Sequence, residues 1–174
     1  FTEHASNYRL TQNLDDYLAD AGVLGIAGVD TRALTRALRS GGVVQAVLTD
    51  RTDLSDAEVV EMARQVKSMS GQNLAAQAGG DESFPWTDTL GQWSSNQKQF
   101  DSAQAPTVLV FDYGIKSNIP RNLAQRGFIV TLIPQNTSAA EIKQLVQSGQ
   151  AHGLFLSHGP GDPEAVEQGV VTLR

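Results

Sequence analysis

Residues 107–163 read TVLVFDYGIKSNIPRNLAQRGFIVTLIPQNTSAAEIKQLVQSGQAHGLFLSHGPGDP, and their pattern decides the fold. Thr107 to Phe111 is a short apolar run of the kind a buried strand carries. Asn118 to Gln125 has helical spacing. Pro120 sits in its first turn, where a missing N–H is tolerated, and Gly127 lies just past its end. Phe128 to Ile133 is the next strand. Ser138-Ala139-Ala140-Glu141 is a capping box that opens a helix with Ile142, Leu145 and Val146 on one face. Gly153 to Ser157 is a third strand, and Glu164 to Arg174 starts another helix. Strands beginning near 107, 128 and 153, with helices between them, are the pattern of βαβ units on a parallel sheet. Three strands fall short of a doubly wound domain with both faces covered, so the sequence is expected to stop within a domain.

Upstream the pattern differs. Thr11 to Gly22 reads as a helix with Leu14, Tyr17 and Leu18 at helical spacing. Val23 to Val29 and Val43 to Leu48 read as short apolar strands. Between them Asp30 is a candidate N-cap for a helix over Thr31 to Ser40, which Gly41-Gly42 ends. Ser55-Asp56-Ala57-Glu58 is a second capping box, opening a helix to about Lys67. The expected order is α–β–α–β–α over residues 1–78. Residues 79–105 lose all period and are rich in Gly, Ser, Gln and Asp. They read as a connecting segment that Trp86 and Trp93 pin to a surface, or else as a flexible linker. Residues 106–174 form the second unit.

Composition excludes several classes. The chain has 174 residues, about one domain of ordinary size or two small ones. Apolar residues make up 40% and charged residues 18%, enough for a packed core and too little charge for a disordered chain. Thirteen Lys and Arg against 19 Asp and Glu give a net charge of -6, which argues against nucleic-acid binding. No run approaches the ~18 apolar residues of a membrane span. With no charged-then-apolar start, a cytoplasmic location is expected, although an organelle address preceding Phe1 stays open. There is no cysteine, hence no disulfide, thiolate metal site or thiol nucleophile. His4, His152 and His158 are the only histidines, and no metal site is expected.

Three motifs can carry chemistry. Ser157-His158-Gly159-Pro160-Gly161-Asp162-Pro163 follows a strand and precedes a helix. Gly159 and Gly161 permit positive φ and close approach to a ligand, and Pro160 stiffens the loop between them. Asp162 can cap the next helix with Pro163 at its first position. Such a loop presents backbone N–H groups past the carboxyl end of a strand, where open α/β sheets bind ligands. These groups suit a carboxylate or a developing oxyanion. The plainer reading is a tight turn without a ligand. Asp112-Tyr113-Gly114-Ile115-Lys116-Ser117-Asn118-Ile119 turns sharply after the first strand of the second unit. It lacks the glycine and lysine spacing of a phosphate loop, and Lys116 either points over the sheet edge or is simply solvated. Arg32, Arg36 and Arg39 share one helix face, a docking surface for an acidic partner or an ordinary solvated face. Ser157 and His158 are adjacent on an extended strand and point to opposite sides, so they are not expected to form a catalytic pair. No Gly-x-Ser-x-Gly elbow occurs. His152 and His4 read as surface residues.

The runs GIAGVDTRALTR (25–36), DYGIKSNI (112–119) and FLSHGPGDP (155–163), in that order, resemble the small, glutamine-hydrolysing subunit of carbamoyl-phosphate synthase. The front segment SNYRLTQNLDDYL (6–18) is similar to the same family. The resemblance implies an α/β protein: part of a small α/β N-terminal domain, then the first part of a class I glutamine amidotransferase domain with a flavodoxin-like parallel sheet. It implies hydrolysis of L-glutamine by a Cys nucleophile aided by a His and a Glu. The ammonia goes to a large synthetase subunit that uses bicarbonate, ATP and Mg to make carbamoyl phosphate for arginine and pyrimidine synthesis. Carried over residue by residue, Gly159 and Gly161 match glycines that contact glutamine through their backbone. The family usually has Asn where this chain has His158. The resemblance places the Cys, His and Glu beyond Arg174, so the chain is expected to be a piece cut at both ends, without catalytic residues or a cofactor of its own, and inactive alone. The alternatives are a non-catalytic module that docks to a synthetase-like partner, and a flavin binder with the same βαβ order.

Overall fold

The computed structural model describes residue 7 and residues 10–91 and 104–173. His4 and Trp93, singled out above, lie outside them. Contacts divide the chain into two units, Phe1–Ser68 and Met69–Arg174.

Among its described residues the first unit carries three helices: α1 (Leu14–Asp20), α2 (Thr31–Gly41) and α3 (Asp56–Gln65). The sequence signals at their ends are realised. The Asp30 carboxylate accepts the Ala33 N–H at 2.8 Å, and Gly42 closes α2 with φ +80°. The Ser55–Glu58 capping box is complete at α3. The two expected strands are not formed. Among the described residues, Val23–Val29 and Val43–Leu48 pair with no other segment. Ile26, Val43 and Val44 are 58%, 69% and 55% exposed. Apolar content made these runs look like strands, but a strand exists only where another backbone takes its hydrogen bonds.

The second unit begins with α4 (Ala75–Ala78) and β1 (Phe84–Trp86). Then come β2 (Thr107–Asp112), α5 (Asn118–Gln125), β3 (Ile129–Pro134), α6 (Ala139–Gln147), β4 (Gly153–Leu156), a 3-10 turn (Pro163–Ala165) and α7 (Glu167–Leu173). The sheet order is β1-β3-β2-β4. β2 pairs parallel to β3 and β4, while β1 adds antiparallel to the outer side of β3. The segment expected only to cross a surface therefore contributes a fourth strand. Phe84 lies opposite Leu132 and Trp86 opposite Val130.

Period-two alternation along β2 builds two cores. Leu109, Phe111 and Tyr113 face one side with Ile133, Ile142 of α6, Ala151 and Ala75 of α4. Val108 and Val110 face the other with Val130 and Leu132, covered by Leu123 and Ala124 of α5, Trp86 and Phe155. Both faces of the central strands are thus covered, which three strands alone were not expected to achieve. Phe111 and Val110 are 0% exposed, so β2 is the fixed reference on which the site is assembled.

Candidate functional site

At the carboxyl ends of β2 and β4 the chain leaves the sheet through two adjacent turns. After β2, the Asp112 carboxylate folds the chain back on itself. One oxygen accepts the N–H groups of Gly114 and Ile115 at 2.9 and 3.0 Å. Gly114 has φ +92°, and a Cβ there would stand 2.7 Å from the Cβ of Ala78 and 3.1 Å from Cδ of Pro160. After β4, residues Ser157–Pro163 cross over the end of β2. The Ser157 hydroxyl receives the Tyr113 N–H at 3.3 Å and donates to the His158 carbonyl at 3.0 Å. It thus bonds to backbone rather than to the His158 ring, in keeping with the expectation against a Ser–His pair.

The two glycines are required for different reasons. Gly161 has φ +92°, a conformation that L side chains rarely adopt. Gly159 does not use the positive φ that a glycine permits. Its constraint is space, because a Cβ would overlap the Tyr113 carbonyl oxygen and come 2.8 Å from the Tyr113 Cβ. Asp162 caps a 3-10 turn, its carboxylate accepting the Glu164 N–H at 3.0 Å with Pro163 following, whereas the helix expected from Glu164 begins only at Glu167. Its other oxygen accepts the N–H of Gly71 at 3.0 Å. The N–H groups of Gly71 and Glu164, together with the Ser70 side chain, hold the Asp162 carboxyl below its usual range.

These turns border an open pocket of about 300 Å3. Gly159, Pro160 and Gly161 form its rim, and Tyr113, Ala75 and Val166 supply apolar wall. The N–H groups of Gly159 and Gly161 donate no hydrogen bond among the described residues. Tyr113 stacks on Phe111 with ring centroids 5.7 Å apart, and burial raises the pKa of its phenol. A Cβ at Gly169 of α7 would stand 2.8 Å from the Tyr113 hydroxyl oxygen, so a side chain there would have to displace the phenol.

Sequence reading singled out the glycine loop and the motif that contains Tyr113, but not the cavity role of Tyr113, nor Ala75 or Gly169. The alternation of Leu109, Phe111 and Tyr113 carried a signal for the first; nothing local marks the other two. Lys116 is exposed and does not line the cavity. Arg32, Arg36 and Arg39 are exposed on α2 of the first unit and form no ion pair among the described residues. His152 is exposed as expected, but its Nδ1 accepts the Thr107 N–H at 3.0 Å and so ties β4 to the start of β2. Among the described residues no three His, Asp or Glu are grouped to hold a metal ion, and no helix is long and apolar enough to cross a membrane.

Known proteins carry the same two parts in the same order. Residues 1–48 match the family described as carbamoyl-phosphate synthase small chain, CPSase domain, and residues 109–174 match glutamine amidotransferase class-I. The carbamoyl phosphate synthase small chain of Synechocystis is 42% identical over 99% of this chain. Over nearly its whole length the chain is thus similar to carbamoyl phosphate synthase small chains. The small chains of Rhodopirellula baltica and Pasteurella multocida are 41% and 38% identical over 91% and 97% of this chain. The chain spans 44%, 41% and 42% of the lengths of these three relatives. The α/β class and the parallel amidotransferase core expected from sequence are both present.

Proposed function

We propose that this chain belongs to the glutamine-hydrolysing subunit of a carbamoyl phosphate synthase and forms one wall of its glutamine site. The observation that carries the reading is the pair Gly159 and Gly161. They line the cavity past the end of β4, and their N–H groups have no protein acceptor among the described residues. Two such donors on a stiff loop suit the carboxylate of glutamine or the charge that develops on its amide oxygen during hydrolysis. The apolar wall at Tyr113, Ala75 and Val166 suits the methylene stem of that substrate. In this reading residues 1–68 belong to the small-subunit N-terminal domain and residues 69–174 open the amidotransferase domain.

The chemistry is amide hydrolysis by a thiol: attack on the glutamine amide forms a thioester and releases ammonia, and water then releases glutamate. None of the 174 residues is a cysteine, so the thiol is supplied from outside them. The ammonia is used by a large synthetase subunit that consumes bicarbonate and ATP with Mg, in the cytoplasm.

The test uses the complete small chain. It is expected to release ammonia from glutamine and, with the large subunit, to support carbamoyl phosphate formation. Glutamine bound in a solved complex should lie against Gly159 and Gly161. A ligand seated away from that loop overturns the assignment. The 174 residues alone are expected to release no ammonia, and release above background by the pure polypeptide overturns the thiol route.

A further inference from the structure

The stretch just ahead of the sheet, Ser70 to Gly80, is bound to the glycine loop at several points. At its start the Gly71 N–H meets the Asp162 carboxylate at 3.0 Å, and the Ser70 side chain bonds to the same carboxylate. In its middle, Leu74 and the Gln72 carbonyl back Gly161, where a Cβ would stand 3.0 and 3.3 Å from them. Ala75 is buried in the core beside Phe111 and Tyr113. At its end a Cβ on Gly79 would overlap the Asp112 carbonyl oxygen, and the Gly80 N–H meets the Asp112 carboxylate at 3.0 Å. Two carboxylates thus fasten the stretch, one on each turn that shapes the cavity. Neither family match, 1–48 or 109–174, includes it.

We infer that Ser70–Gly80 is a clamp that holds the Gly159–Gly161 loop in its ligand-binding shape, with Asp162 and Asp112 as the positioning residues. This rests on the glutamine-site reading above. A loop with two glycines has many conformations to lose when it closes on a ligand, and a loop held beforehand binds more tightly for the same contacts. The bonds at Asp162 and Asp112 are charge-assisted, which suits them to that holding.

The decisive variant is Asp162→Ser in the complete small chain. Serine keeps an oxygen to cap the Glu164 N–H but is too short to reach Gly71. The expected result is a KM for glutamine raised about tenfold, kcat within about twofold, and faster amide exchange at Gly71 but not in α6. Asp162→Ala should show the same KM change with an added loss of thermal stability from the cap. Should Asp162→Ser fail to fold, Asp162→Asn, which keeps the shape and turns one acceptor into a donor, is expected to give the same KM rise. An unaltered KM alongside faster Gly71 exchange overturns the clamp while leaving the glutamine site standing. If the unmodified small chain hydrolyses no glutamine, the functional reading falls. The clamp is then decided by exchange alone, and unchanged Gly71 exchange in Asp162→Ser overturns it.

Discussion

The α-carbon of Gly159 packs against the backbone carbonyl of Tyr113, leaving no room for a side chain between them. Tyr113 follows the most buried strand of the sheet, so its backbone is in no position to retreat. The loop after β4 is therefore seated on the end of β2, and the cavity takes its shape from that crossing.

Gly159→Ala tests the seating directly. The added methyl overlaps backbone on one side, so the loop has to lift. The expected loss is about 2 kcal/mol in chemical denaturation, the scale of an overpacked site, with a raised KM for glutamine in the complete small chain. An unchanged midpoint would mean that the loop is not held against Tyr113.

Gly161→Val acts through the backbone. At φ +92° a β-branched residue is strained, and Leu74 and the Gln72 carbonyl crowd the same space. The expected cost is about 1–3 kcal/mol of loop strain, seen as impaired glutamine turnover. Kinetics matching the unmodified protein would reduce the loop to a turn.

The Asp162 carboxyl sets a pH dependence. The Gly71 N–H, then the Glu164 N–H, lower its pKa in the folded state. Its contribution to stability is thus complete above the ordinary carboxylate range, about pH 4, and is lost as pH falls through the lowered folded value. Urea titrations from pH 6 to pH 2 should show this slope, and it should be smaller in Asp162→Asn. Parallel slopes in the two proteins would remove Asp162 from the acid response.

Trp86 tests the added strand. It lies opposite Val130 and packs against the cluster that Val130 and Leu132 form with β2, and its indole N–H donates to the Asp88 carbonyl at 2.9 Å. Trp86→Ala should cost about 3 kcal/mol or somewhat less, since Trp86 is only half-buried. The KM for glutamine should stay as it was, because Trp86 faces the side of the sheet away from Tyr113. A large KM change would contradict the separation of the two cores.

The reading of residues 107–163 and the fold agree closely where the signal is local. The helix expected over Asn118–Gln125 has those bounds, and the Ser138–Glu141 capping box opens α6. The failures are equally physical. Val43 and Val44 look like a strand by composition, yet pairing depends on a partner that composition does not name. Phe84-Pro85-Trp86 is too short, and too broken by proline, to announce itself as a strand, yet it takes the edge of β3.

Periodicity, caps and glycine spacing are properties of neighbours along the chain. They suffice to establish the parallel core, the helices between its strands and the loop at Gly159–Gly161. The assembly of the cavity is another matter. That Gly71 meets Asp162 across 91 positions, that Gly169 makes room for the Tyr113 hydroxyl, and that Gly159 needs space rather than a positive φ depend on where distant backbone segments cross. Such crossings are set by packing in three dimensions and leave no local pattern to read.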